Sequence, residues 1–250
     1  MLLRLRIVTL ALAALVAAAT ACGSSSSTEP AGTAAGPPAI SANLFLNPGF
    51  EEGANPWYSL ATEAWGPPFQ VSDKEAHGGS RSAFLELQAG PQDAGAKVFG
   101  VVQEVTADSF PEVVSGYYHV DNWVRATQKQ YLQFVVIVWG ATNLPGGFAN
   151  HQIRYPLAGI SEPPFQLSNA RFLFVGKDEP AQGQWVHFER NIKQDFEDAW
   201  GAVPQGFSKI RMLFEARYDD KSAGTEGKAD VYYDDLYIGP AAGNPNRSGE

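Results

Sequence analysis

Two segments of the sequence, 113–125 and 131–139, alternate apolar side chains with aromatic and polar ones. If both are β-strands, one set of side chains faces the core and the other faces outward. Aromatic rings can stack on the C–H faces of sugars, and planar polar groups can bond their hydroxyls. The outward candidates are Tyr117, His119, Trp123, Arg125, Gln133 and Trp139, with Glu215 and Arg217 from segment 209–217 and Trp65 and Phe69 at the rim. The pattern predicts a ligand platform, although an ordinary exposed face, or one covered by a loop, would show it too.

The same residue types allow a catalytic interpretation. A glycosidase needs two carboxylates about 5–10 Å apart, and Asp121 and Glu215 are the candidates for that pair. A polysaccharide lyase would use a tyrosine, a histidine and a basic residue on one face, as Tyr117, His119 and Arg125 would provide. The sequence lacks a Gly-x-Ser-x-Gly elbow, a His-Glu-x-x-His motif and a phosphate-binding loop. Lyase and glycoside hydrolase therefore stay open as alternatives to binding.

The elements that must position these residues are short strands. Six segments rich in β-branched and aromatic residues, bounded by Gly, Pro, Asn and Asp, predict strands. No long segment has a helical period, and 193–204 predicts one short turn of helix. About two hundred residues of this character predict a single all-β domain over 43–240, a sandwich or a barrel. Residues 241–250 are predicted to be a disordered tail.

The amino-terminal region predicts export. Residues 1–21 carry two arginines and then an apolar run of signal-peptide length, and the only cysteine, Cys22, follows. The tetrapeptide at 19–22 resembles the lipobox of bacterial lipoproteins, which predicts lipidation of Cys22; an ordinary secretory peptide is the alternative. Residues 22–42, rich in Ser, Ala, Gly and Pro, predict a flexible tether. We therefore expect attachment to the bacterial cell envelope, at the outer membrane or cell surface, through lipid only.

The charge balance excludes some partners. Loss of Arg4 and Arg6 with the leader takes the formal charge from −9 to −11. Such an acidic chain is a poor ligand for nucleic acid. With a single cysteine, no disulfide can form within the chain. We also expect the protein to be a monomer.

An ordered series of motifs resembles a known family. It comprises "NLFLNPGFEEG" at 43–53, Trp57, "EAHGGSRSAFLEL" at 75–87, "GQWVHFERNI" at 183–192 and "VYYDDLYIG" at 231–239. The series resembles the carbohydrate-binding modules of families 4, 9 and 22, in the galactose-binding-like superfamily. The resemblance implies a jelly-roll sandwich of two antiparallel sheets that binds polysaccharide or oligosaccharide, with Trp57 and Trp185 in its framework.

The resemblance also implies a structural calcium ion, which answers why carboxylates gather at both ends of the domain. Calcium takes six to eight oxygen ligands. The implied ligands are the Gly49 carbonyl, the Glu51 carboxylate, carbonyls near His77 and Ser80, and Asp234. Solvated end charges are the alternative. Taken together, the sequence predicts a lipid-anchored, non-catalytic carbohydrate-binding protein, with an enzyme or an adhesive envelope lipoprotein that binds proteins as alternatives.

Overall fold

The computed structural model describes residues 42–247. Within them lie ten strands, one α-helix and one 3-10 helix. The strands are β1 Gln70–Ser72, β2 Ser82–Ala89, β3 Gly95–Val105, β4 Val113–Val124, β5 Lys129–Trp139, β6 Asn150–Ala158, β7 Ala170–Phe172, β8 Trp185–Asn191, β9 Lys209–Lys221 and β10 Gly227–Gly239. Helix α1 is Ile192–Trp200, and the 3-10 helix is Ala241–Gly243.

The strands form two five-stranded sheets. Sheet I has the order β1-β2-β10-β4-β8, and sheet II has the order β3-β9-β5-β6-β7. Neighbouring strands are antiparallel except for the pair β6 and β7. The prediction of an all-β jelly-roll sandwich is confirmed.

The core lies between the sheets because the strands alternate as their sequences predict. Sheet I contributes Leu85, Val120 and Phe188, and sheet II contributes Phe134 and Phe214. The Phe134 ring stacks on Phe188 with centroids 5.2 Å apart, which joins the two sheets at the centre. Large buried aromatic pairs of this kind stabilise the sandwich without a disulfide.

The predicted helical turn is longer than expected. Helix α1 has nine residues, begins after the Asn191 cap, whose side chain accepts from Gln194 N–H, and ends at Gly201 with φ 82°. It buries Phe196 against Phe110, with centroids 5.0 Å apart. The helix therefore contributes to the core at one end of the sandwich.

The two ends of the domain are paired. The Leu44 N–H donates to the Ile238 carbonyl, and the Asn43 side chain bonds both Leu236 and Ile238. The prediction of a disordered tail is wrong for 241–247, because Asn246 donates to the Asp235 carbonyl at 2.6 Å, among other contacts.

Other predictions fall outside the described residues: the signal peptide at 1–21, lipidation of Cys22, the tether up to residue 41 and the tail from 248. No helix in the stretch from 42 to 247 is long and apolar enough to cross a membrane.

Candidate carbohydrate-binding face and candidate metal centres

The predicted platform residues do not share one surface. Gln133, Trp139, Glu215 and Arg217 lie on β5 and β9 in sheet II, whereas the candidates from segment 113–125 belong to β4 in sheet I or follow it. The members of the two sets that point away from the core therefore face opposite sides of the sandwich. We call the surface of sheet II that points away from sheet I the sheet II face, and its counterpart the sheet I face.

The middle of the sheet II face carries a buried polar cluster. The Gln133 side chain donates to Glu215 Oε2 at 2.6 Å. Arg217 donates twice to Asp219, at 3.1 and 2.7 Å, and Tyr131 donates to the same carboxylate at 2.9 Å. Burial lowers the pKa of the Arg217 guanidinium, but the carboxylates of Glu215 and Asp219 outweigh it and raise the pKa overall. Arg217 is therefore a permanent charge in a preorganised network.

Two segments flank this cluster. On one side, the Trp65 ring lies over Gly100, where an added Cβ would come within 2.7 Å of it. On the other side, the Phe165 ring centroid lies 5.3 Å from the guanidinium carbons of both Arg154 and Arg217. Residues 58–66 and 159–176 thus flank and partly cover the cluster, each with one aromatic side chain, and Gln133 and Glu215 are buried beneath them.

Several polar atoms on this face have no partner. Gln133 Oε1, Arg154 Nε and Nη1, and Trp139 Nε1 are inaccessible and make no hydrogen bond to any residue in the described part of the chain. A buried polar atom without a partner costs about 1–3 kcal/mol. Native structures contain few such atoms, so several on one face call for an explanation.

Trp139 marks the other end of the face. Its ring lies 5.7 Å from the Lys209 ammonium and 5.7 Å from the Arg211 guanidinium carbon. Both cations are paired with Glu104, and the carboxylate accepts from them at 2.6–2.9 Å. Half-buried Trp139 is therefore fixed in orientation by neutralised charges.

Arg154 and Phe165 were missed by the sequence analysis. In β6, Gln152 and Arg154 alternate with the buried Ile153 and Tyr155, so a period-two pattern was present. Phe165 lies between strands in a proline-containing loop, where no local pattern distinguishes it from other loop residues.

The predicted β4 residues have other surroundings. Tyr117 stacks on His77 with centroids 3.5 Å apart, and His119 is buried beside Trp185 and Tyr232. Arg125, beyond the strand, pairs with Glu179 at 2.7 Å and donates to the Gly159 carbonyl. Each contacts other residues, although His119 Nδ1 and Arg125 Nε make no hydrogen bond within residues 42–247.

Trp123 does not point outward. A bulge places Lys228 opposite Val124 but Asp230 opposite Asp121, so β4 carries one extra residue. Asn122 accommodates it with φ 55°. Because side chains alternate, the extra residue reverses the face, and Trp123 packs against the core while its indole N–H donates to Glu179. The expected surface with Trp123 and Trp139 side by side is wrong.

The candidate catalytic pair is also separated. Asp121 lies on the sheet I face and Glu215 on the sheet II face, and packed sheets are about 10 Å apart. Glu215 and Asp219 share a face and both approach the Arg217 guanidinium, at 3.6 and 2.7 Å, so Arg217 lies between these two carboxylates. Retaining and inverting glycosidases need a shorter separation than that between the two faces, so Asp121 and Glu215 do not have that geometry.

The carboxylates at the two ends of the domain converge on one turn. Glu51 accepts from Ser80 N–H at 2.7 Å, Ser80 Oγ at 2.9 Å and Arg81 N–H at 2.8 Å. Asp234 accepts from the N–H groups of His77 at 2.8 Å and Gly78 at 3.1 Å. The sequence analysis expected carbonyls of this turn to face a cation, but its hydrogen bonds to the two carboxylates come from backbone N–H groups and the Ser80 hydroxyl.

The turn requires its glycines. A Cβ on Gly78 would lie 2.6 Å from Asp235 Oδ2, and one on Gly79 would lie 2.4 Å from Glu51 Oε1. Gly49 is close as well, since its Cβ would be 3.5 Å from Asp234 Oδ1. These approaches bring Gly49, Glu51 and Asp234 close to residues 77–80, while Glu52 stays exposed.

The carboxylates at this turn offer oxygen ligands, which are the kind that a hard cation binds. Asp234 is fully buried, and burial, with the charge of Asp235, raises the pKa of its carboxyl to about 7 despite its hydrogen bonds. Asp235 itself has φ 48° and Phe50 has φ 59°, which is a strained backbone for residues other than glycine. A divalent ion would relieve the repulsion between the adjacent carboxylates.

Another group has the side-chain spacing of a metal site. Glu75, His119 and Asp121 offer ligand atoms within 4.8 Å of one another, and they form the only such cluster of three among residues 42–247. The sequence analysis treated His119 as a sugar ligand and Asp121 as a candidate acid, and did not consider Glu75.

Of the two predicted framework tryptophans, Trp57 is buried in the core and Trp185 is only half-buried. Trp57 is buried against Phe45 and Phe50, and its indole N–H donates to the Asn47 carbonyl at 2.8 Å. Trp185 lies half-buried on the sheet I face beside His77 and His119.

Comparison with known proteins gives similarity in structure only. No family model and no curated protein matches the sequence. The solved structures with a similar fold include TmCBM61 in complex with β-1,4-galactotriose, at 15% identity over 78% of this chain and 97% of that one, with a TM-score of 0.41. They also include the CBM22-1–CBM22-2 tandem of Paenibacillus barcinonensis Xyn10C (17% identity, 83% and 52% covered, TM-score 0.44) and a CBM28 module specific for non-crystalline cellulose (14%, 78% and 93%, 0.39).

Proposed function

We propose that the protein binds polysaccharide or oligosaccharide without cleaving it, and that the sheet II face is the binding surface. The observation that carries the proposal is the set of buried, unpartnered polar atoms on Gln133, Trp139 and Arg154, which a sugar would reach by displacing one of the two flanking segments that carry Trp65 and Phe165. The series of motifs that resembles carbohydrate-binding modules supports the same function.

The chemistry of these atoms matches sugar hydroxyls. Gln133 Oε1 accepts hydrogen bonds, whereas the Arg154 and Trp139 nitrogens only donate. A hydroxyl group does both, so a sugar can satisfy donors and acceptors that a purely anionic or cationic ligand cannot. Glu215 already holds the Gln133 amide at 2.6 Å, which leaves the Gln133 oxygen directed to other partners.

The dimensions suit a chain of sugars. Gln133 and Trp139 are six residues apart on the same face of β5, a distance of about 20 Å along a strand. Trp65 and Phe165, both half-buried, stand beside this line and offer apolar ring surface. Contacts would therefore be spread along an extended ligand.

The calcium ion is a separate part of the proposal. Glu51, Asp234 and carbonyls that include Gly49 would hold it, and its charge would offset the buried Asp234 carboxylate. Its role would be to tie the first segment and the turn at 77–81 to the last strand, not to contact sugar.

Lipid attachment at Cys22 to the cell envelope completes the proposal, and it is supported by the sequence alone. Radiolabelled palmitate should enter the wild-type protein in a bacterial host and not Cys22→Ala. Labelling of both proteins, or of neither, would contradict it.

The binding function is tested with a panel of plant and bacterial polysaccharides in affinity gels, followed by calorimetry on the best ligand. We expect retardation of the wild type, at least a tenfold weaker affinity for Arg154→Gln, and wild-type affinity for His187→Gln on the sheet I face. Absence of binding across the panel would overturn the function, and loss in His187→Gln alone would overturn the face. Release of unsaturated uronates or reducing ends would show an enzyme instead.

A further inference from the structure

The sheet I face carries a concentration of negative charge that the proposed sugar binding does not use. Glu86, Asp230 and Asp121 are cross-strand neighbours on β2, β10 and β4, and all three lie on the sheet I face. Like charges directly opposite one another destabilise a sheet. Glu75, from the segment between β1 and β2, adds a fourth carboxylate close to Asp121.

A buried histidine lies next to these carboxylates. His119 is 3% exposed, its Nε2 lies 3.9 Å from Glu75 Oε2, and its Nδ1 lies 3.6 Å from Asp121 Oδ2. Neither distance is a hydrogen bond. Nδ1 has no partner in the portion of the chain that the structure describes, although it is inaccessible to solvent. An unpartnered, buried ring nitrogen facing a carboxylate is a ready ligand for a metal ion.

We propose that Glu75, His119 and Asp121 form a second metal site, distinct from the calcium site, that binds a first-row divalent ion of the zinc type. The three ligand atoms lie within 4.8 Å of one another. Bonds of 2.0–2.2 Å in tetrahedral geometry place ligand atoms about 3.4 Å apart. The required contraction is small, and it falls on Glu75 and Asp121, whose side chains are 40% and 36% exposed.

The ligand chemistry selects the kind of ion. One imidazole and two carboxylates suit zinc and its first-row neighbours, whereas calcium takes oxygen ligands in larger number. The exposed side of the cluster leaves coordination positions for water or for an added ligand atom.

Tyr232 lies beside His119, with ring centroids 5.8 Å apart, and its side chain closes one side of the cluster. Lys74, from the same segment as Glu75, lies over the Phe84 ring at 5.7 Å.

A metal ion bound at this second site would anchor the segment between β1 and β2, residues 73–81, which is not part of a strand. Glu75 lies two residues before His77, in the turn that holds Glu51 and Asp234. A metal bridge from Glu75 to β4 would fix this turn from the sheet I face while the end carboxylates fix it from the edge.

The test is calorimetric titration of the chelator-treated protein with zinc chloride in buffer that contains excess calcium, so that the calcium site is filled. We expect one equivalent of zinc to bind the wild type. Glu75→Gln and Asp121→Asn should each weaken binding at least tenfold, and Glu86→Gln, which removes a carboxylate from the same face outside the cluster, should bind as the wild type does.

Two further variants keep the result unambiguous. His119→Gln should abolish binding, and its zinc-free melting temperature shows whether it folds; the partly exposed Glu75 and Asp121 decide the matter if it does not. His187→Gln removes a nearby histidine outside the cluster and should leave binding intact. No zinc binding by the wild type, unchanged binding in both carboxylate variants, or loss in His187→Gln would overturn the proposal.

Discussion

Glu51 and Asp234 lie near opposite ends of the domain's sequence, and both accept hydrogen bonds from the same turn, residues 77–81. Ser80 and Arg81 donate to Glu51, while His77 and Gly78 donate to Asp234. Five consecutive residues therefore connect the first segment to the last strand. Because both carboxylates are bonded through backbone N–H groups, the connection depends on the turn's conformation more than on its side chains, and Gly78 and Gly79 leave the carboxylates room.

Removal of calcium should destabilise the domain. A ligand present at a hundred times its dissociation constant stabilises by about 2.7 kcal/mol, and 1 kcal/mol shifts the melting temperature by about 2–4 °C for a domain of this size. We therefore expect chelation to lower the melting temperature by about 5–10 °C, as measured by scanning calorimetry. Glu51→Gln should reduce that difference, and Glu52→Gln, at the exposed neighbour, should preserve it. An unchanged melting temperature after verified removal of metal would contradict the site.

The pH dependence of the metal-free protein should carry the signature of Asp234. Its folded pKa is about 7, above the usual value of 3.8, so between these values the native state holds a proton that the unfolded state has released. The contribution of this carboxyl to stability is therefore full below pH ~4 and is lost as the pH rises through ~7.

In chelator, the wild type should lose stability relative to Asp234→Asn as the pH is raised across that interval, measured by urea denaturation at several pH values. Calcium binds the ionised carboxylate, so the stabilisation by calcium should grow over the same interval. Parallel curves for wild type and Asp234→Asn in chelator would show that the carboxyl does not titrate there.

Trp139 and Trp123 should differ in their effect on sugar binding. Trp139 is half-buried on the sheet II face, whereas Trp123 packs against the core on the other sheet. We expect Trp139→Ala to weaken polysaccharide binding at least tenfold, about 1.4 kcal/mol, with the fold intact by circular dichroism. Trp123→Phe should retain wild-type affinity. The reverse result would place the sugar on the sheet I face.

The architecture was predictable from the sequence because strand alternation and turn residues are local signals. Val136 and Phe134 were expected inward and are buried, and the β-sandwich follows from many such segments. Alternation shows which way a side chain points relative to its own strand, but not which sheet the strand joins. For that reason, Trp123 and Trp139 were assigned to one surface although β4 and β5 lie in different sheets.

The candidate sites were predictable only in part for a similar reason. Gln133, Glu215 and Arg217 were expected outward, and they are, but the segment that carries Phe165 covers them. The covering segment gives no periodic signal, so its position depends on tertiary packing. Glu75, in the segment that leads into β2, likewise lies close to His119 on β4 only because β2 and β4 lie on either side of β10.

The bulge at Asn122 is the local reason that Trp123 was wrongly predicted to point outward. The dependence of the bulge on the Asn122 backbone can be tested directly. Asn122 has φ 55°, and its side chain donates to Asp230 at 2.7 Å. A β-branched residue is strained in this left-handed conformation, so Asn122→Val should lower the free energy of unfolding by about 1–2 kcal/mol. Asn122→Gly keeps the conformation and loses only a surface hydrogen bond, about 0.5 kcal/mol. Urea denaturation with equal losses in the two variants would show that the bulge does not depend on this backbone conformation, whereas the expected difference would show that it does.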